Sequence, residues 1–138
     1  MQNLTYVYVE DDPMSREALS LILKRVMKLE HVHIFEDSTD FMTRVSALST
    51  VPDIFLLDIH MHPHSGFEML AMLRADDRYR ASRIIALTAS VMNEEIDLLK
   101  TSGFDGVIGK PINVPTFPKI LGRITHGETI WHITDIDG

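Results

Sequence analysis

Cysteine is missing from these 138 residues. That excludes a disulfide framework, a thiolate metal site and thiol chemistry, and it fits a reducing compartment. Positive charge is scarce: 13 Lys and Arg stand against 20 Asp and Glu, for a formal net charge of −7. An acidic surface repels phosphate backbones, so direct nucleic-acid binding is not expected. Long apolar runs are lacking too, and none approaches the roughly 20 residues needed to cross a bilayer. The segment Met1–Tyr8 carries no basic residue ahead of its apolar run, so it does not read as a signal peptide. The expectation is a soluble, cytoplasmic protein with no membrane partner. Repeats, linkers and low-complexity stretches are absent as well.

What is present is an ordinary globular composition, 45% hydrophobic and 24% charged, at the size of one domain. Short apolar runs alternate with longer amphipathic ones. Leu4–Val9, Val32–Phe35, Ile54–Leu57, Arg83–Leu87 and Phe104–Ile108 read as strands. Between them lie helical spacings. Asp12 with Pro13 opens the first helix, followed by Leu19, Ile22, Leu23 and Val26. Asp37 or Ser38 is the expected cap of the second, with Phe41, Val45 and Leu48 inward. The third begins near Gly66 and carries Phe67, Leu70, Ala71 and Leu73. Met92, Ile96 and Leu99 mark the fourth, which Gly103 closes in a left-handed conformation. Asn113 is a candidate cap for the last helix, with Phe117, Ile120, Leu121 and Ile124 inward and Pro118 disturbing its first turn. Five βα units imply an α/β fold, a mostly parallel sheet with helices on both faces. The division expected is a domain over residues 1–125 and a C-terminal tail over 126–138, packed or disordered.

In such sheets ligands sit at the carboxyl ends of the strands. Glu10, Asp11 and Asp12 follow the first strand, Asp58 the third, Thr88, Ala89 and Ser90 the fourth, and Lys110 with Pro111 the fifth. Clustered carboxylates repel one another unless a cation sits among them, and hard oxygen ligands suit Mg²⁺. A lysine and a hydroxyl nearby suit a phosphoryl group. Each residue also has a plain structural reading, and Asp12 beside Pro13 is first a helix cap. The ordered set, each member just after a strand, is what points to phosphoryl chemistry.

The segments VEDDP, DIFLLDIHM, GFEML, IIALTAS and GFDGVIGKPI resemble response-regulator receiver domains over about residues 4–124. The resemblance implies a flavodoxin-like (βα)5 three-layer sandwich with a parallel sheet of order 2-1-3-4-5. It implies that Asp58 accepts a phosphoryl group from a sensor histidine kinase or a histidine phosphotransfer protein. By the same resemblance Glu10, Asp11, Asp58 and the backbone carbonyl of His60 hold Mg²⁺ (or Mn²⁺). Lys110 contacts a phosphate oxygen, Thr88 donates its hydroxyl to the phosphoryl group, and Ala89 leaves it room. His60, Ala89 and Ser90 are candidate rate-tuning positions, and Lys110–Pro111 is expected to be cis. Self-catalysed phosphorylation and dephosphorylation would switch an interaction surface on helix 4, strand 5 and helix 5, open to a downstream protein or to a second copy as a homodimer. The starting Met and the tail suggest a single-domain form, and a receiver excised from a larger chain is the other option.

Three features depart from the family. Val107 stands at the switch position, where an aromatic ring is usual, and valine has little rotamer freedom. The loop after Asp58 reads Met61-His62-Pro63-His64, and its alternating His60, His62 and His64 read as solvated loop residues rather than transition-metal ligands. The tail from Gly127 carries Ile130, Trp131 and Ile133, and is a free end, a strap packed by Trp131, or a contact for a second subunit. The alternative function is a pseudo-receiver, a scaffold that is not phosphorylated. A haloacid-type hydrolase or a flavin protein fits less well, because the spacing after the first strand is wrong for the one and the acidic cluster repels the phosphate of the other.

Overall fold

The structure, a computed structural model, describes residues 3–90 and 92–131. Strands β1 (Thr5–Val9), β2 (His31–Phe35), β3 (Ile54–Asp58), β4 (Arg83–Thr88) and β5 (Gly106–Gly109) form one sheet. Its order is β2-β1-β3-β4-β5 and every pairing is parallel. Helices α1 (Pro13–Leu21), α2 (Phe41–Ser46), α3 (Gly66–Arg74), α4 (Asn93–Ser102) and α5 (Phe117–Thr125) connect and follow the strands. This is the flavodoxin-like fold anticipated from the sequence.

Side chains alternate across a strand, so each strand feeds two cores. Val7, Val9, Phe55, Leu57, Ile84, Ala86 and Val107 meet α2, α3 and α4 on one face. Tyr6, Tyr8, Ile54, Leu56, Ile85, Leu87 and Ile108 meet α1 and α5 on the other. Burial on both faces explains why β3 reads as an unbroken apolar run.

Most helix ends follow the expected chemistry. Asp12 caps α1 by accepting the Ser15 N–H at 2.9 Å, and Gly103 ends α4 at φ 110°. Ser65 and Glu68 form a reciprocal capping box at the start of α3. Six expectations need correction. Val26 is exposed, because Ile22–Val26 winds as a π-helix and its wider turn rotates the residue off the buried stripe. Met69 is buried and Ala71 exposed in α3, one step out of the expected phase. Neither Asp37 nor Ser38 caps α2. Asp37 accepts the Thr39 N–H in a local turn, Ser38 accepts the His64 N–H across the fold, and Asp40 precedes the helix at φ 51°. Met92 is the exposed cap residue of α4 and not part of its inner face. Phe104 is buried but precedes β5, stacking edge-on against Phe67. Asn113 caps only the turn ahead of α5, accepting the Thr116 N–H, while Pro118 falls within the first two helical positions where no donor is needed.

After α5 the chain reverses at Gly127, whose φ is 98°. Glu128 pairs with Arg123 at 3.0 Å, and its carbonyl accepts from Arg83 at 2.8 Å. The Ile130 carbonyl then accepts the Val107 N–H at 2.7 Å. Ile130 is buried in the α1/α5 core, whereas Trp131 packs against the α2/α3/α4 core. This segment therefore crosses the outer edge of β5. Ile133 lies outside the described residues.

Candidate functional site

The carboxyl ends of β1, β3 and β5 deliver the charged groups. Glu10 follows β1 directly and is fully buried, as befits a residue still aligned with the sheet. Its carboxylate is held from three sides. Lys110 Nζ lies 2.8 Å from Oε1, the Tyr8 hydroxyl donates to the same oxygen at 3.3 Å, and the Asp12 N–H donates to Oε2 at 3.2 Å. The Arg16 guanidinium also donates to the Glu10 carbonyl at 2.9 Å. Asp11 is exposed. Asp58 ends β3, is nearly buried, and lies 3.5 Å from Lys110 Nζ.

Electrostatics follow from that crowding. Burial, then the neighbouring Glu10 and Asp11, push the Asp58 carboxyl up to about 7, against the pull of Lys110. Burial alone would lower the Lys110 ammonium. Its hydrogen bond to Glu10 and the charges of Asp58 and Glu10 outweigh that and hold it raised. Burial and Glu10 likewise raise Tyr8, which keeps its hydroxyl a donor. Oxygen atoms of Glu10, Asp11 and Asp58 come within 4.8 Å of one another, the one group of three such ligands among the described residues. The three loop histidines do not assemble into another. A hard divalent cation suits this all-oxygen set, and it would relieve the repulsion that raises Asp58.

These side chains line an open cleft of about 380 Å³ with Asp12, Ser15, His60, Ala89 and Pro111. His60 and Ala89 are exposed at its rim. Thr88 is placed differently. Its hydroxyl accepts the Ser90 N–H at 3.0 Å and donates to the Ser90 carbonyl at 3.4 Å, so it is closed on its own loop. The Lys110–Pro111 bond is cis as expected, and His62–Pro63 is cis too. Gly66 lets α3 press against the site: a Cβ there would lie 2.9 Å from the Asp58 carbonyl oxygen.

Three contributors were not singled out from the sequence. Tyr8 had a readable signal, because it lies two residues before Glu10 and so on the same side of the strand. Arg16 reaches Glu10 from α1, one turn beyond the cap. Ser38 is fully buried and fastens the loop after Asp58 through His64, a contact 26 residues apart that no local pattern announces.

A model of the response regulator receiver domain matches residues 7–121. The chain belongs to that family. Over 127 residues this receiver is 30% identical to a nitrate/nitrite response regulator protein homolog of Haemophilus influenzae, covering 92% of this chain and 59% of that one. It is 38% identical over 66 residues to the polar-differentiation response regulator DivK of Brucella anthropi, covering 48% of this chain and 54% of that one. The match thus spans between half and three-fifths of these relatives' lengths. Among solved structures, the chemotaxis response regulator CheY4 of Vibrio cholerae superposes with a TM-score of 0.77 at 24% identity, over 88% of this chain and 98% of that one. The receiver domain of a Pseudomonas aeruginosa sensor histidine kinase, solved with magnesium coordinated in its active-site cleft, gives 0.74 at 22%, over 87% of this chain and 95% of that one. At these identities the structures establish the shared fold.

Proposed function

We propose that this receiver accepts a phosphoryl group on Asp58 from the phosphohistidine of a sensor histidine kinase or phosphotransfer protein, and that the charge it gains alters a protein-interaction surface. The observation that carries this reading is the placement of Lys110 Nζ, 2.8 Å from buried Glu10 and 3.5 Å from Asp58 at the mouth of one acidic cleft. A carboxylate held between a like charge and an ammonium is a nucleophile with its counter-charge already in place.

In the transfer, an Asp58 oxygen bonds to phosphorus as the P–N bond to the donor imidazole breaks, and the imidazole nitrogen recovers a proton from water. Lys110 faces the phosphoryl oxygens and offsets their charge. Glu10, Asp11 and Asp58, with the His60 carbonyl, would hold Mg²⁺ or Mn²⁺, which supplies further charge neutralisation. Thr88 must first leave its Ser90 contacts before its hydroxyl can serve the phosphoryl group, so its release is the first internal movement of the switch. Exposed His60, Ala89 and half-buried Ser90 flank the acyl phosphate, where side-chain size and polarity set the approach of water and hence the rate of self-dephosphorylation. The modification adds about −1.5 to −2 charge units, which shifts the balance between two conformations. The whole of this takes place in a cytoplasmic setting, without an output enzyme in the domain itself.

Acetyl phosphate or a phosphohistidine donor with Mg²⁺ tests the reading. Acid-labile phosphate is expected on the wild type and not on Asp58→Asn. A wild type that takes no label under either donor would make the chain a pseudo-receiver.

A further inference from the structure

An outermost strand presents unpaired backbone groups to any extended chain, a hazard that folded proteins cover or charge. Here β5 is one of the sheet's two edge strands, and residues 128–131 of the same chain cover it. The Ile130 carbonyl takes the Val107 N–H at 2.7 Å. Ile130 drops into one core layer and Trp131 lies against the other, with the Lys100 ammonium 5.3 Å from its ring centre. Gly106 makes the approach possible, because a Cβ there would stand 2.9 Å from the Ile130 carbonyl oxygen. The segment is fastened at its other end by Glu128, through Arg123 and Arg83. All of this hangs on one reversal at Gly127, where φ is 98° and a Cβ would meet nothing within 4 Å.

We propose that the β5 edge is a strand-addition surface which residues 128–131 close in cis, and that the same residues of a second copy close it in trans when the reversal at Gly127 is lost. The second copy fits because it carries the same carbonyl, the same isoleucine and the same indole, and none of these contacts depends on which copy supplies them. Exchange of an identical element between copies through a hinge is a low-cost route to a dimer. In the monomer the short tether gives the segment an effective concentration of about millimolar, so cis closure wins at ordinary dilution. The inference stands apart from the phosphoryl reading, since no group of the Asp58 cleft takes part.

Gly127→Val in the full chain tests it. The substitution touches no neighbour, yet a β-branched residue strongly disfavours φ 98°. At micromolar concentration the variant should lose protection of the Val107 amide against hydrogen exchange by about tenfold or more, as expected for a strained left-handed residue. Trp131 is the sole tryptophan, so its emission should move to longer wavelength in the same sample. As concentration rises, the protection and the emission should return together with a dimeric mass. Adding Ile130→Ser should abolish that dimer. Wild-type protection and emission in Gly127→Val at every concentration would overturn the latch. An opened variant that stays monomeric, or a dimer that survives Ile130→Ser, would overturn the exchange.

Discussion

Replacing Asp58 by Asn should stabilise the metal-free protein at pH 8 and leave it unchanged near pH 4.5. The reasoning starts from a carboxyl raised from 3.8 to about 7 by burial and by Glu10. Between about pH 4 and 7 the folded protein holds a proton on Asp58 that the unfolded chain has released. Stability therefore falls as pH rises through that window, and the loss is complete above about pH 7. That rise from 3.8 to about 7 corresponds to at most about 4 kcal/mol, at about 1.4 kcal/mol per tenfold change in proton affinity. The Lys110 ammonium offsets part of that penalty, so about 2–4 kcal/mol is the expected difference. Asn keeps the shape and removes the charge. Urea unfolding followed by circular dichroism, with a chelator present and pH stepped from about 4.5 to 8.5, measures both proteins. Carboxylates elsewhere titrate in both and cancel in the difference. Mg²⁺ at pH 8 should then stabilise the wild type more than the variant, since only the wild type has the charge to neutralise. A difference that does not change with pH, or that favours the wild type at pH 8, would refute the account of Asp58 as a charge held against its surroundings.

Lys110→Met should cost about 3–5 kcal/mol at pH 7.5 without metal, because it leaves buried Glu10 and nearly buried Asp58 without their cation. The deficit should shrink at pH 5, where Asp58 takes up a proton, and denaturant midpoints at the two pH values check this. Tyr8→Phe removes one donor from Glu10 and should cost about 1 kcal/mol. Calorimetric Mg²⁺ titration should also show weaker binding, and unchanged affinity would leave Tyr8 a packing residue only. Gly66→Ala places a Cβ against the backbone of Asp58 and Ile59 and should cost about 1–3 kcal/mol, read as a lower melting temperature together with slower labelling of Asp58.

The parts of the site that were legible in the sequence are those fixed by position along a strand. Glu10, Asp58 and Lys110 each sit at the carboxyl end of one, and a parallel sheet brings those ends to one edge whatever else the chain does. The boundaries that moved, Val26 through the π-turn and Ala71 through a phase step in α3, are places where a small change of winding turns a side chain by a large angle. Ser38 escaped because its partner is far along the chain, and the bonds that close Thr88 onto Ser90 had no signal in the local pattern. Local pattern reports periodicity well and reports poorly which of several available hydrogen bonds a short polar side chain takes.

Val107 and the tail show the same limit from the other direction. In the sequence they are two separate oddities, a valine where the family usually has a ring and an extra segment with the only tryptophan. In the structure they are one feature. The amide of Val107 holds the carbonyl of Ile130, and Trp131 lies beside α4, so residues 128–131 occupy the ground between α4, β5 and α5. A homodimer or a downstream protein that used this face would have to displace residues 128–131 first. The proposed movement of Thr88 would bear on β5, because Thr88 pairs with Gly109 and the Lys110 N–H donates to the Thr88 carbonyl. The amide that holds residue 130 lies three residues before Lys110 on that strand, so a displacement of β5 at the site would strain the Val107–Ile130 bond before any side chain at 107.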